Sequence, residues 1–174
     1  MAIEPDTKDW TWVLARPCPE CGFEAASVEP TEIGAMIRAN VGEWRRILAD
    51  TRARDRAAPD RWSALEYACH VRDVFRRYDE RLALMLAEDD PGFANWDQDT
   101  TAVEERYGEQ DPAVVAEELA TAGEVLAVLF DAVTGDQWGR TGRRSDGASF
   151  TVETFARYFI HDPIHHVHDV TNDA

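Results

Sequence analysis

The chain has 174 residues and a formal charge of −16, from 18 Lys and Arg against 34 Asp and Glu. That length suits one hydrophobic core, and no run approaches the roughly 20 apolar residues of a membrane span. The negative charge repels phosphate backbones and anionic lipid, which argues against nucleic-acid and membrane partners. Three cysteines are too few and too odd a set for a disulfide framework, and the first residues lack a basic cluster followed by an apolar run. A reduced, cytoplasmic setting is expected.

Residues 1–30 mix Trp10, Trp12, Cys18 and Cys21 with Pro5, Pro17, Pro19 and Pro30, and neither helical period nor strand alternation accounts for them. They read as an irregular arm packed on the main body, residues 31–174, with the tryptophans as anchors. Cys18-Pro-Glu-Cys21-Gly resembles half of a zinc ribbon. A full site needs two more ligands, which Cys69 cannot supply alone; His166 or His168 could help if the arm lies beside the last helix. Without them, two reduced thiols in a turn are expected.

From Thr31 the positions Ile33, Met36, Ile37, Trp44, Ile47 and Leu48 recur three or four apart, one face of a first helix. Ser63-Ala-Leu-Glu66 is a capping box that opens a second helix, whose stripe runs through Ala68, Val71, Phe75, Tyr78, Leu82 and Met85. Residues 88–111 form a long acidic connection, of a length that crosses a bundle end or covers a site, with Trp96 and Tyr107 placed to pin it. Asp111-Pro112 starts a third helix, an N-cap acceptor followed by a tolerated proline, and Gly135 follows its end. Residues 136–149 read as a loop or short hairpin. A fourth helix opens near Thr151, with Phe150 and Phe155 spaced as a hydrophobic staple. The fold class is therefore all-α, a four-helix bundle with an irregular N-terminal arm; its connectivity stays open.

Four of the five histidines fall in eight residues, His161-Asp-Pro-Ile-His165-His166-Val-His168. On a helix His161, His165 and His168 lie within about 60° of one another, whereas His166 points elsewhere, toward Phe159 and Val170. Imidazoles at i and i+4 can face one ion, and His70 on the second helix is the remaining histidine that could complete a set. His70, His161 and His165 would leave a position for water or substrate. An isolated pair of this spacing also fits two hydrogen-bonded polar residues, and His168 competes for the third place. Pro163 removes the bond its amide would make to Phe159, so a kink that aims the pair is expected.

The segments Trp62-Ser-Ala-Leu-Glu-Tyr-Ala-Cys-His70 and His161-Asp-Pro-Ile-His165-His166 resemble the DinB-like superfamily, which includes mycothiol-dependent maleylpyruvate isomerases and other thiol S-transferases. The resemblance spans about Thr31 to Val170. It implies a four-helix bundle that holds a divalent metal through one histidine on the second helix and an HxxxH pair on the fourth, here His70, His161 and His165.

Around that set, Glu66, Asp73 and His168 are candidates to orient the ligands, and Arg140 and Arg144, with Arg143, to clamp an anionic substrate. Cys69 diverges by about 100° from His70 on a helix and reads as a small core residue. The leading functional reading is a metal-dependent thiol S-transferase that joins a low-molecular-weight thiol such as mycothiol to a small-molecule electrophile. The alternatives are a metal-dependent hydrolase and a non-enzymatic metal or small-molecule binding module. Zinc is the first candidate for the ion, with nickel, iron or manganese as alternatives. Apolar positions outside the bundle would permit a homodimer.

Overall fold

A computed structural model describes Ile3 and residues 9–172. It holds five α-helices: α1 (Ile33–Leu48), α2 (Ala64–Ala87), α3 (Gln98–Glu104), α4 (Pro112–Asp131) and α5 (Val152–Asn172). The second, third and fourth helices expected from the sequence are α2, α4 and α5.

The caps explain the boundaries. Ser63 accepts from the Glu66 amide while the Glu66 carboxylate accepts from the Ser63 amide, closing the expected capping box. Asp111 accepts from the amides of Ala113 and Val114 ahead of Pro112. The glycine- and arginine-rich segment before α5 resolves into a hairpin of β1 (Thr141–Arg143) and β2 (Ser149–Thr151), antiparallel with Gly142 opposite Phe150. Gly142 is required there, since a Cβ would lie 2.6 Å from the Phe93 ring and 2.8 Å from Met85.

α4 packs against both α1 and α2, and α5 also packs against both. α1 and α2 therefore face each other diagonally, although they are consecutive in sequence. Arg38 pairs with Asp131 and Arg45 with Glu117, so α1 and α4 run antiparallel. Arg72 meets Glu118 and Phe75 lies beside Gly123, so α2 and α4 run parallel; Tyr78 packs against Phe155 and His70 meets His166, so α2 and α5 are antiparallel. The order is up-down-down-up. The long connection between α2 and α4 allows it by running back along α2, where Arg81 donates to the Ala94 carbonyl, Trp96 stacks on His70 and Tyr107 donates to Asp73.

Ile37, Trp44, Leu65, Phe75, Leu82, Leu119, Leu126, Phe155 and Phe159 fill the core and are fully buried. Pro163 lies inside α5, which continues unbroken through it, and its carbonyl accepts from the buried Asn40 amide of α1 at 2.9 Å. Ahead of α1, short 3-10 turns at Trp10–Leu14 and Ala25–Ser27 lie along α5, and Arg157 of α5 donates to the Val28 carbonyl at 3.0 Å. Among the described residues no helix is long and apolar enough to cross a membrane.

Candidate metal centres

The core stripe of α5 is Phe155 and Phe159, and both rings face α2, packing against Tyr78 in tilted geometry with centroids 4.8 Å away. Extended by steps of three and four residues, that stripe reaches Asp162 and then His166. At this level α2 presents His70. The ring centroids of His70 and His166 are 5.0 Å apart, and Asp162 Oδ2 sits between them, 3.4 Å from His70 Nε2 and 3.6 Å from His166 Nε2. One ligand atom from each of His70, Asp162 and His166 lies within 4.8 Å of the others.

One residue back on α5 the side chains are turned by about 100° and face the N-terminal arm instead. His161 and His165, with centroids 5.0 Å apart, meet Cys18 and Cys21, and again one ligand atom from each of the four lies within 4.8 Å of the rest. Trp10 covers both rings, at 5.5 and 5.3 Å, and Phe23 lies 5.2 Å from His161.

The residues expected to share one ion are thus divided between two clusters. His161 and His165 come together, but among the described residues His70 shares its cluster with Asp162 and His166. The cause is rotational: packing of Phe155 and Phe159 against α2 turns the 162/166 row inward, which carries the 161/165 row toward the arm. His166, expected to point away toward Phe159, does lie on the Phe159 side, and that side faces α2. Asp162 was not singled out from sequence; continuing the apolar stripe past Phe159 is the signal that finds it.

The electrostatics differ between the clusters. Burial acts against a charge on His166, but the Asp162 carboxylate outweighs it, with Asp169 adding, and the imidazole is raised to about 9. His161 is lowered to about 4 by burial and next by His165, so it is neutral at physiological pH, the form a metal ligand needs. Burial pushes the Cys21 thiol up to about 11. Asp169 joins the two clusters: one oxygen lies 3.0 Å from His166 Nδ1 and the other 3.6 Å from His165 Nε2.

The donor sets suit metal ions, and a buried atom supports that fit. His161 Nε2 is buried without a hydrogen-bond partner, a costly state for a polar atom. Both histidine rows line a cavity of about 830 Å³ between α2, α5, the N-terminal arm and the connection that runs back along α2. Trp96 from that connection stacks on His70, with centroids 5.7 Å apart and planes 7° from parallel.

The other sequence candidates take mostly structural positions. Glu66 closes the α2 cap and pairs with Arg56. Asp73 is held by Arg72 and by the Tyr107 hydroxyl, which donates at 2.6 Å, so it braces the connection and does not touch His70's cluster. His168 is partly buried, with its ring 6.3 Å from His165. Arg140 donates to the carbonyls of Met85 and Glu88, capping the end of α2, and Arg143 pairs with Asp90. Arg144 does line the cavity, donating to the Tyr158 hydroxyl at 2.9 Å. Arg81, unforeseen from sequence, also lines it; it is buried, with Nε lacking a partner. Cys69 is a buried core residue against the Tyr107 carbonyl and Gln110, its thiol pushed up to about 12 by burial.

A family model of the DinB superfamily matches residues 35–170. The chain belongs to the DinB superfamily. Among solved structures, this DinB chain is similar to YfiT from Bacillus subtilis, described as a "probable metal-dependent hydrolase with an unusual four-helix bundle topology". The two share 17% sequence identity and a TM-score of 0.64, over 97% of this chain and 91% of that one. At that identity the likeness speaks for the DinB fold. No curated protein matches the chain.

Proposed function

We propose that this DinB protein is a metal-dependent enzyme whose working ion is held by His70, Asp162 and His166. The observation that carries the reading is the meeting of these three ligand atoms on the wall of the 830 Å³ cavity. Two histidines and one carboxylate bind first-row divalent ions and leave positions open, as reactive sites require. When bound, the ion supplies Lewis acidity, which lowers the pKa of a thiol or water beside it.

The residues around the ligands do the rest. Trp62 and Trp96 flank the His70 ring at 5.5 and 5.7 Å and fix its orientation. Asp169 holds His166 through Nδ1, leaving Nε2 directed at Asp162 and the cluster, and an ion bound there would displace the proton that Asp162 favours on Nε2. The cavity wall carries more carboxylates than arginines, and Arg144 is paired with Asp146; Arg81, buried with Nε unpartnered, is the group placed to meet an anionic group of a substrate. A cavity of this volume accommodates a small organic molecule. Thiol-dependent members of the superfamily support a low-molecular-weight thiol as cosubstrate, and the leading reading is transfer of the thiol to a small electrophile.

Hydrolysis is the second reading, favoured by the description of YfiT. Metal-loaded, tag-free protein incubated with a panel of anionic electrophiles, with and without thiol, separates the two. Thiol-dependent conjugation that disappears in His166→Ala supports transfer, while turnover without thiol assigns hydrolysis. Turnover unchanged by both His166→Ala and Asp162→Ala would overturn the assignment of the site.

A further inference from the structure

The cluster of Cys18, Cys21, His161 and His165 stands apart from the proposed reactive site in composition and in enclosure. We propose that it is a second, structural zinc site that fastens the N-terminal arm to α5.

The local fold of the arm is built for this. Cys18-Pro-Glu-Cys21-Gly22 turns back on itself: the Gly22 amide donates to the Cys18 carbonyl at 2.9 Å, and the Cys18 amide donates to the Phe23 carbonyl at 2.8 Å. Gly22 has φ +74°, the left-handed conformation that glycine adopts without steric cost and that lets the turn close. Both sulfurs are thereby presented to α5. There the one-turn spacing of His161 and His165 supplies two nitrogens.

Distances fit zinc. A tetrahedral ion about 2.3 Å from sulfur and about 2.05 Å from nitrogen places those two atoms about 3.6 Å apart. Cys18 Sγ and His165 Nδ1 are 3.7 Å apart. His161 is 4% exposed, and its Nε2 has no partner, although a buried imidazole nitrogen ordinarily finds one. On the far side of His165, Nε2 faces Glu20 at 3.3 Å and Asp169 at 3.6 Å, the carboxylate support that orients a ligating imidazole.

Four protein ligands, two thiolates and two neutral imidazoles, complete a tetrahedron and leave no place for substrate, in contrast to the three at His70, Asp162 and His166. Binding forms two zinc–sulfur and two zinc–nitrogen bonds, and the two thiol protons pass to solvent. The consequence reaches the cavity, because Trp10, ahead of the cysteine turn, and Glu20, within it, belong to its wall. Zinc here holds that wall in place.

Cobalt substitution of the reduced, full-length protein tests this. Thiolate-to-cobalt charge transfer in the near ultraviolet is expected in the wild type and in His70→Ala, and it is lost in Cys21→Ser. Zinc content is expected at about two equivalents in the wild type and about one in each variant. Absence of the charge-transfer band from reduced wild type, or its survival unchanged in Cys21→Ser, overturns the proposal. Because the wild-type spectrum alone can refute it, the test holds even if a cysteine variant misfolds.

Discussion

Asp169→Asn is the sharpest probe of how the two clusters are joined. The change keeps the size of the side chain and removes its charge. In the native protein one carboxylate oxygen lies 3.0 Å from His166 Nδ1, within direct hydrogen-bond range, and the other 3.6 Å from His165 Nε2, beyond it. The Asp169 and His166 side chains are 16% and 19% exposed, so water screens their interaction little. Loss of such an orienting carboxylate typically costs 10–100-fold in metal affinity. The distances place the His70, Asp162 and His166 centre near the upper end, about 100-fold or roughly 2.7 kcal/mol, and the cysteine-containing centre near about 10-fold. Competition against a calibrated chelator measures both affinities. Asp73→Asn is the control: Asp73 is on the same helix as His70 but is bound to Arg72 and Tyr107, so its loss lowers stability and leaves metal affinity unchanged. If Asp169→Asn binds metal within about twofold of wild type, the bridging role of this carboxylate is refuted.

Two further outcomes follow from the same geometry. In metal-free protein, His166 is raised to about 9 chiefly by Asp162 acting against burial, so its charged form is favoured in the fold. That stabilisation is complete below the unfolded value of about 6.5 and is lost as pH rises through about 9. Imidazole nitrogen NMR should show His166 titrating well above 6.5, and Asp162→Asn should bring it down; a wild-type value at or below 6.5 contradicts the arrangement. At the junction of α1, α2 and α4, a Cβ on Gly123 would stand 2.6 Å from Val41 and 3.2 Å from the Phe75 ring. Overpacking of about 1–3 kcal/mol exceeds the gain of about 1 kcal/mol in helix propensity. Gly123→Ala should therefore melt about 2–4 °C lower per kcal/mol of net loss, and an unchanged or higher melting temperature would show that the junction yields.

Much of the fold is local and was legible for that reason. The capping box at Ser63 and Glu66, the Asp111-Pro112 start and the apolar stripes of α1, α2, α4 and α5 each follow from interactions within a few residues. The chemistry-bearing segments were equally plain: the CxxC turn, His70, and the histidines of α5. Asp162 was harder to find because, between His161 and Pro163, it resembles an ordinary solvated carboxylate.

What the sequence determined by itself was an all-α chain with one metal-ligating helix near its end and a cysteine turn near its start. What tertiary structure alone decided was the pairing. Two i, i+4 rows lie about 100° apart on α5, and either could have faced α2. Packing of Phe155 and Phe159 on Tyr78 set the rotation of that helix, gave Asp162 and His166 to His70, and left His161 and His165 to the arm. Helical periodicity fixes angles between side chains on one helix, but the angle of the whole helix about its axis is set by the neighbours it buries.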